Sequence, residues 1–241
     1  MVAVTTIDFL GKWSSNTVKG QRTASIVIDG QTLIECGPHT LESMLDIGID
    51  PLGIDTVAIT HMHLDHFIGI AEFLWYRAIY NSGDSLVILG PRGIENNVWN
   101  LIRATMTPES FQINVDIRED TDFGDIQHFR ANHVIEDNGY RIETRDGVVF
   151  YSGDTAYSQN VVTGSESVDY LFHEMTYTDQ REEEAKFWKH STISDVLRVF
   201  SESKAINLVP VHLTTETLDA ATRMAGKDSN IVSPERKSIR F

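Results

Sequence analysis

The segment from residue 60 to residue 70, THMHLDHFIGI, limits what this chain can fold into more than any other part of its sequence. Three histidines and one aspartate fall within six positions, after a β-type run and before apolar residues with helical spacing. On a strand or in a tight loop, the imidazoles of His61 and His63 can point to one ion. Asp65 and His66 follow too closely to share that ion, but they suit a second ion. Paired metals roughly 3.5–4 Å apart favour the hydrolysis of phosphate esters.

A site for two metals needs further ligands, and three later residues are candidates: His133 in HFRANHV, Asp154 in YSGDT and His212 in LVPVHLT. Each lies where an apolar, strand-like run gives way to polar residues, which is where sites on sheet scaffolds are built. Taken alone, each has an ordinary structural interpretation, such as an aspartate that forms a turn. The metal-site hypothesis therefore depends on the whole set of five histidines and two aspartates.

Short β-type runs recur along the chain, and they cover residues 25–29, 32–36, 56–60, 85–89, 140–144, 148–151, 169–175 and 206–213. Helical spacing predicts a helix just after the histidine cluster, from 68 to 79, and another from 193 to 200. Thr192 and Asp195 resemble a capping box before the second helix. This pattern favours packed sheets with helices outside, an α/β sandwich. No repeat or linker-like stretch divides the 241 residues, so we expect a single domain over 1–241.

The charge balance limits the partners of the chain, because 35 acidic side chains oppose 20 basic ones and the formal net charge is −15. Binding to a phosphate backbone depends on lysine and arginine, so we expect no broad nucleic-acid surface. No apolar run approaches the roughly 20 residues that cross a bilayer. The first residues also lack the basic and long apolar regions of a secretory signal. With one cysteine, Cys36, no internal disulfide can form, and we expect a cytoplasmic protein without membrane contact.

The histidine cluster resembles the signature of the metallo-β-lactamase superfamily, because HMHLDH matches the superfamily pattern His-x-His-x-Asp-His. His133, Asp154 and His212 also follow in the order of that superfamily. The resemblance implies the α/β metallo-β-lactamase fold, a four-layered αββα sandwich. It further implies two divalent metal ions at one edge of the sheets, usually Zn²⁺, although Mn²⁺ or Fe²⁺ also suits ligands of this kind.

The same resemblance assigns each candidate ligand to a metal: His61, His63 and His133 to the first, Asp65, His66 and His212 to the second, and Asp154 to both. A hydroxide that bridges the two metals is then the implied nucleophile. Asp65 is also placed to accept a hydrogen bond from that hydroxide, which gives it a catalytic role beside its role as a ligand.

Four further segments are similar to the ribonuclease Z-like branch of the superfamily: LGPRGI, HVIEDNGYRIE, FHEMTY and KHSTISDV. The last two contain Glu174 and His190. The resemblance implies that these two residues lie beside the metals and assist proton transfer or phosphate binding. A paired imidazole and carboxylate suits protonation of a leaving alkoxide. This branch therefore points to a phosphodiesterase.

The chain departs from the tRNA-processing members of that branch at two places. In the bacterial type, a protruding arm that grips tRNA is inserted between the positions of His133 and Asp154, which are only 21 positions apart in this chain. The Pro-x-Lys-x-Arg-Asn loop of those members is replaced by SSNTVKGQRTAS, which keeps only Lys19 and Arg22 as candidate phosphate contacts. These departures weaken the case for tRNA processing and leave the hydrolase chemistry intact.

The sequence thus predicts a dinuclear metal-dependent phosphodiesterase that acts on RNA or on a small phosphodiester such as a cyclic or linear nucleotide. Alternatives are a tRNA 3′-processing endoribonuclease despite the missing arm, and a hydrolase of thioesters, lactones or β-lactams with the same metals. A metal-binding module without hydrolysis is the non-enzymatic alternative. Because related enzymes are commonly dimers, a homodimer is also expected.

Overall fold

The computed structural model describes residues 4–16, 18–80, 83 and 85–241. Twelve strands are described: β1 (Thr6–Gly11), β2 (Ser25–Ile28), β3 (Thr32–Ile34), β4 (Thr56–Ala58), β5 (Leu86–Gly90), β6 (Val115–Glu119), β7 (Ile126–Arg130), β8 (Asn138–Glu143), β9 (Val148–Tyr151), β10 (Tyr170–Glu174), β11 (Asn207–Val211) and β12 (Ser238–Arg240). They form one sheet in the order β12-β1-β2-β3-β4-β5-β6 and a second in the order β11-β10-β9-β8-β7.

Eight α-helices lie in the described part of the chain: α1 (Thr40–Asp46), α2 (Leu64–Phe67), α3 (Ile70–Ile79), α4 (Ile94–Ala104), α5 (Gln159–Gly164), α6 (Glu182–Trp188), α7 (Ile193–Ser203) and α8 (Thr215–Ala225). Two short 3₁₀ turns are also present: Pro51–Gly53 lies between α1 and β4, and Asp179–Arg181 lies between β10 and α6. The helix predicted to follow the histidine cluster begins earlier than expected, because α2 starts inside the cluster and α3 continues from Ile70. The capping box before α7 is confirmed.

Alternating side chains of the strands build the layers. In β2, Ile26 and Ile28 face the core between the two sheets, whereas Val27 packs under α1, α3 and α4. In β10, Phe172 faces the same central core and Leu171 packs under α5, α7 and α8. Because both faces of each sheet are covered, the central strands carry apolar residues on both faces. The predicted four-layered αββα sandwich is confirmed.

The direction of the strands determines where the site lies. β1, β2 and β3 are antiparallel, and Asp29 and Gly30 in the predicted hairpin turn have φ angles of 51° and 69°. β3 to β6 are parallel, and so are β9, β10 and β11. The carboxyl ends of neighbouring parallel strands meet at one edge of a sheet, which is where ligand sites of α/β proteins lie.

In the described ranges, no helix combines the length and apolarity needed to cross a bilayer.

Candidate metal centre

The predicted ligands come from strand ends in both sheets. The loop after β4 contains His61 and His63, and α2 contains Asp65 and His66. From the second sheet, His133 lies between β7 and β8, Asp154 follows β9 and His212 follows β11. The structure thus brings all seven residues to one place, although they span more than half of the chain.

The first group of ligand atoms consists of three imidazoles and a carboxylate. His61 Nε2 lies 3.0 Å from His63 Nδ1, and His133 Nε2 lies 3.3 Å from the same Nδ1. Asp154 completes this group, with ligand atoms within 4.8 Å of one another. Three ring nitrogens that face one another at these distances suit a shared cation, since Zn²⁺ binds such nitrogens tetrahedrally.

The second group consists of Asp65, His66 and His212, and Asp154 again lies beside it. Asp65 Oδ2 is 3.2 Å from His212 Nε2 and 3.4 Å from His66 Nε2. Asp154 Oδ2 is 3.4 Å from His66 Nε2 and 3.5 Å from His212 Nε2. The same oxygen lies 3.7 Å from His61 Nε2 of the first group. Asp154 is therefore placed between the two groups, as expected for a bridging ligand.

Unpartnered polar atoms test whether these residues fit metal ions. His66 Nε2 and Asp154 Oδ1 are buried and have no hydrogen-bond partner. Buried polar atoms are nearly always satisfied, so such orphans at one site call for an ion or a water. Both atoms belong to metal-ligating groups, and imidazole nitrogen with carboxylate oxygen suits divalent transition metals. The residues present therefore fit the divalent metal ions that this fold implies.

Burial and the charges in the site hold two of these ligands, His61 and Asp154, in the forms that bind metal. Burial and the neighbouring His66 lower the pKa of His61 well below its usual value, so the ring is neutral at pH 7. Burial alone would raise the pKa of Asp154, but His212, His66 and His190 lower it well below its usual value. Neutral imidazole and ionised carboxylate are the species that coordinate metals.

Two buried carboxylates that sequence reasoning missed hold the ligand histidines from behind. Glu35 Oε1 lies 3.0 Å from His66 Nδ1, and Asp137 Oδ2 lies 2.9 Å from His61 Nδ1. A carboxylate at Nδ1 fixes the ring and directs Nε2 toward the metal. An acidic residue that ends an apolar strand, as in TLIECG, was a signal for Glu35. Nothing in the local sequence singled out Asp137.

Glu174 and His190 form a pair beside the second group. His190 Nδ1 lies 2.8 Å from Glu174 Oε1 and 3.8 Å from Asp154 Oδ2. Burial alone would lower the pKa of His190, but Glu174 and Asp154 raise it to about 9. The His190 side chain keeps 14 % of its surface exposed, whereas Glu174 keeps 1 %. The imidazole therefore reaches the opening of the site, while the carboxylate supports it from within.

Glu174 is held by several donors and connects His190 to a ligand. Its Oε1 accepts hydrogen bonds from the backbone N–H groups of Thr155 and Ser191, at 3.0 and 3.1 Å. Its Oε2 accepts from the hydroxyl of Thr176, which lies 2.8 Å from His212 Nδ1. A carboxylate with this many donors is fixed in position, so His190 and His212 are oriented together.

The candidate phosphate contacts Lys19 and Arg22 lie on a separate surface loop. The Arg22 guanidinium is 3.4 Å from Glu42, and Arg22 lines a cavity of about 620 Å³ together with Lys12, Arg236 and Lys237. Lys19 is exposed. Phosphate binding by these two residues stays a prediction.

Comparison with known proteins agrees with this geometry. A family model described as anti-Pycsar protein Apyc1 matches residues 5–228. Ribonuclease Z of Metallosphaera sedula is 22% identical over 78% of this chain and 80% of the relative. The short form of human tRNase Z has a TM-score of 0.78 at 20% identity, covering 88% of this chain and 93% of that one. A diphosphatase of the PhnP family has a TM-score of 0.73 at 18% identity, with 91% of each chain covered. The chain belongs to the family of the anti-Pycsar protein Apyc1, in the ribonuclease Z-like branch of the metallo-β-lactamase superfamily, and is a metal-dependent hydrolase.

Proposed function

We propose that this chain is a dinuclear metal-dependent phosphodiesterase that hydrolyses small phosphodiesters, such as cyclic or linear nucleotides. The observation that carries the proposal is the His190–Glu174 pair, with Nδ1 and Oε1 2.8 Å apart, beside two groups of ligand atoms that share Asp154. Two metals and an imidazole acid together meet the needs of phosphodiester cleavage: charge neutralisation at phosphorus and a proton for the leaving oxygen.

The residues of the site divide into those that hold metals and those that handle protons. Two divalent ions, for which zinc suits the imidazole-rich ligands, would stabilise the phosphoryl oxygens and lower the pKa of a water molecule. The seven ligands hold these ions at the edge of both sheets. The Oδ2 atom of Asp65 lies among the ligand atoms of the second group and can accept a hydrogen bond from the attacking water, which would orient that water.

His190 supplies the proton that the leaving group needs. With both ring nitrogens protonated, Nδ1–H donates to Glu174 Oε1 and holds the ring in one orientation. The Nε2 proton then passes to the leaving alkoxide, which is a far poorer leaving group without it. Glu174 stabilises the positive charge of the ring before the transfer and positions it throughout.

The absence of an arm between His133 and Asp154 supports the proposal that the substrate is small. Between His133 and Asp154 the chain forms β8 and β9, joined by a tight turn in which Thr144 N donates to Gly147 O at 2.8 Å. These two strands belong to the second sheet, so the segment between the ligands holds no arm. The acidic balance of the chain also opposes a long polyanionic substrate.

Metal analysis combined with one variant tests the proposal. Purified protein should contain about two metal ions per chain, and a chelator should abolish hydrolysis of phosphodiesters. His190→Ala should lower kcat by about 10²–10⁴-fold and keep the metal content, since a general acid contributes about that much. His39→Ala is the matched control, because His39 is an exposed histidine that pairs with Glu42.

Two results would contradict the proposal. One is fewer than one metal per chain together with activity that is indifferent to chelation. The other is an equal loss of metal and activity in His190→Ala, which would make His190 a structural residue. Precursor tRNA belongs in the same panel as cyclic nucleotides. Rapid cleavage at the tRNA 3′ end would show that processing proceeds without the arm and would overturn the restriction to small substrates.

A further inference from the structure

Two large aromatic side chains at the end of α6 are exposed beside the metal centre. Phe187 is 72% exposed and Trp188 is 51% exposed. Their rings meet edge to face, with centroids 4.9 Å apart and an interplanar angle of 89°. Phenylalanine and tryptophan gain much free energy from burial, so an exposed pair marks a surface that a ligand can cover. Trp188 lies two residues before His190.

The backbone around this pair is fixed to the metal centre. Lys189 ends α6 with a φ angle of 53°, and His190 N donates to Ala185 O at 2.9 Å. The Lys189 carbonyl oxygen lies 3.1 Å from Nδ1 of the predicted ligand His133. In the opposite direction, Lys189 Nζ donates to the His133 carbonyl at 3.1 Å. The segment that carries the aromatic pair is thus anchored to His133 through Lys189 and continues directly into His190.

Two more exposed apolar residues follow the predicted ligand His133, whereas the start of α6 is charged. Val134 and Ile135, which follow His133, are 43% and 39% exposed. The first turn of α6 instead carries Glu182, Glu183 and Glu184, which pair with Lys186 or Arg181. The exposed apolar surface is therefore local. It comprises residues next to His133 and His190 in the sequence, and the first turn of α6 does not share it.

We propose that Phe187 and Trp188 form an aromatic platform on which the base of a nucleoside phosphodiester stacks. This proposal rests on the proposed function, in which the phosphate lies at the metals. The platform is on the side of His190, which is the side of the leaving oxygen, so the stacked base belongs to the nucleoside that carries the leaving oxygen. A neutral planar ring suits this surface, and every base has a face that stacks on an aromatic side chain. The platform thus favours substrates with a base and discriminates little between bases.

A pair of substrates that differ only in the base tests the platform. One is a nucleoside 3′,5′-cyclic phosphate, and the other is the same cyclic phosphate on an abasic 1,2-dideoxyribose. Trp188→Ala should raise KM for the nucleotide about tenfold, within the range that one base–aromatic stack contributes. The kcat for the nucleotide, the metal content and the kcat/KM for the abasic compound should stay within about twofold of wild type, because the metals and His190 are untouched.

Two further variants separate stacking from other effects. Trp188→Phe should restore most of the affinity, whereas Trp188→Leu, which is apolar but not aromatic, should not. Tyr80→Ala is the matched control, because Tyr80 is 60% exposed and its ring contacts Tyr76 at the end of α3, the end away from α2. It should change neither KM nor kcat.

Each contrary result has a defined meaning. Equal effects of Trp188→Ala on both substrates, or no effect on either, overturn the platform while the proposed function stands. A change in oligomeric mass without a change in KM assigns the surface to contacts between copies, and it overturns the platform too. If metal-loaded wild type hydrolyses neither compound nor a linear dinucleotide, the proposed function fails. The platform is then tested by comparing the affinity for a nucleoside cyclic phosphorothioate with the affinity for its abasic counterpart. Equal affinities overturn the platform.

Discussion

At the scale of residues, the site depends on buried acids as much as on its ligands. Glu35 is fully buried, and it accepts a hydrogen bond from Thr60 N at 3.1 Å as well as contacting His66. Burial raises the pKa of Glu35, and the neighbouring His66 opposes that rise. In this buried position, the ionised form of Glu35 is stabilised only by its partners. A positive charge on His66, or a metal ion bound by His66, provides that stabilisation. The carboxylate and the metal therefore support each other through one imidazole.

Replacing Glu35 tests this coupling. Glu35→Gln should weaken the binding of the second metal about 10- to 100-fold, the usual effect of losing a partner behind a ligand histidine. Competition with a chromophoric chelator measures the affinity. Glu42→Gln is the control, because Glu42 is exposed and pairs with Arg22. Unchanged affinity in Glu35→Gln would show that the negative charge behind His66 is not needed to hold the ligand.

At the scale of elements, close backbone contacts place the loop after β3 against α2. Cys36 N donates to His66 O, and Gly69 N donates to Cys36 O, both at 2.8 Å. A Cβ atom on Gly37 would lie 1.9 Å from the carbonyl oxygen of Asp65. Only glycine permits an approach this close. The turn formed by Cys36 and Gly37, the Cys-Gly turn, therefore fixes α2, which contains the predicted ligands Asp65 and His66.

Gly37→Ala should move Asp65 and loosen this contact. We expect the free energy of unfolding to fall by about 1–3 kcal/mol, as for other overpacked sites, and the second metal to be lost preferentially. Urea unfolding and metal analysis measure the two effects. Gly83→Ala is the control, since a Cβ on Gly83 would meet nothing within 4 Å. Wild-type metal content in Gly37→Ala would contradict the role assigned to the turn.

At the scale of the whole molecule, the predicted ligands connect the two sheets. His61, His63, Asp65 and His66 follow strand β4 of the first sheet, whereas His133, Asp154 and His212 belong to the second. Ions bound between these residues would link the two sheets. No disulfide does so, since the one cysteine, Cys36, is free. The metal site exists only in the folded chain, so bound metals stabilise the folded state over the unfolded one.

Removing the metals should therefore lower Tm. A metal at about 100 times its Kd contributes about 2.7 kcal/mol. For a chain of this size we expect Tm to fall by about 5–10 °C. Calorimetry with a chelator measures the shift, and the chelator already saturated with zinc is the control. A single transition is expected if residues 1–241 form one domain. An unchanged Tm would show that the ions do not link the sheets.

The sequence alone determined the set of candidate ligands and the layered α/β fold, because both depend on short-range patterns. His-x-His-x-Asp-His is contiguous, and the central strands are apolar enough to be recognised one by one. Sequence reasoning missed β1, β6 and β12. Of these, β6 carries exposed polar residues and β12 is only three residues long, so their place depends on partners far along the chain. The helix that was expected after the cluster begins within it, at Leu64. Its backbone is held by hydrogen bonds with Cys36, which is distant in the sequence, so no local pattern predicted this start.

Only the tertiary structure decided which groups surround the ligands. Glu35 and His66 are 31 positions apart, and Lys189 and His133 are 56 positions apart, so no local pattern joins them. The exposure of Phe187 and Trp188 also depends on what packs near them, because an aromatic residue in a sequence usually indicates a core position. Local chemistry thus predicted the ligands. The packing of distant segments determined their supports and the surface available to a substrate.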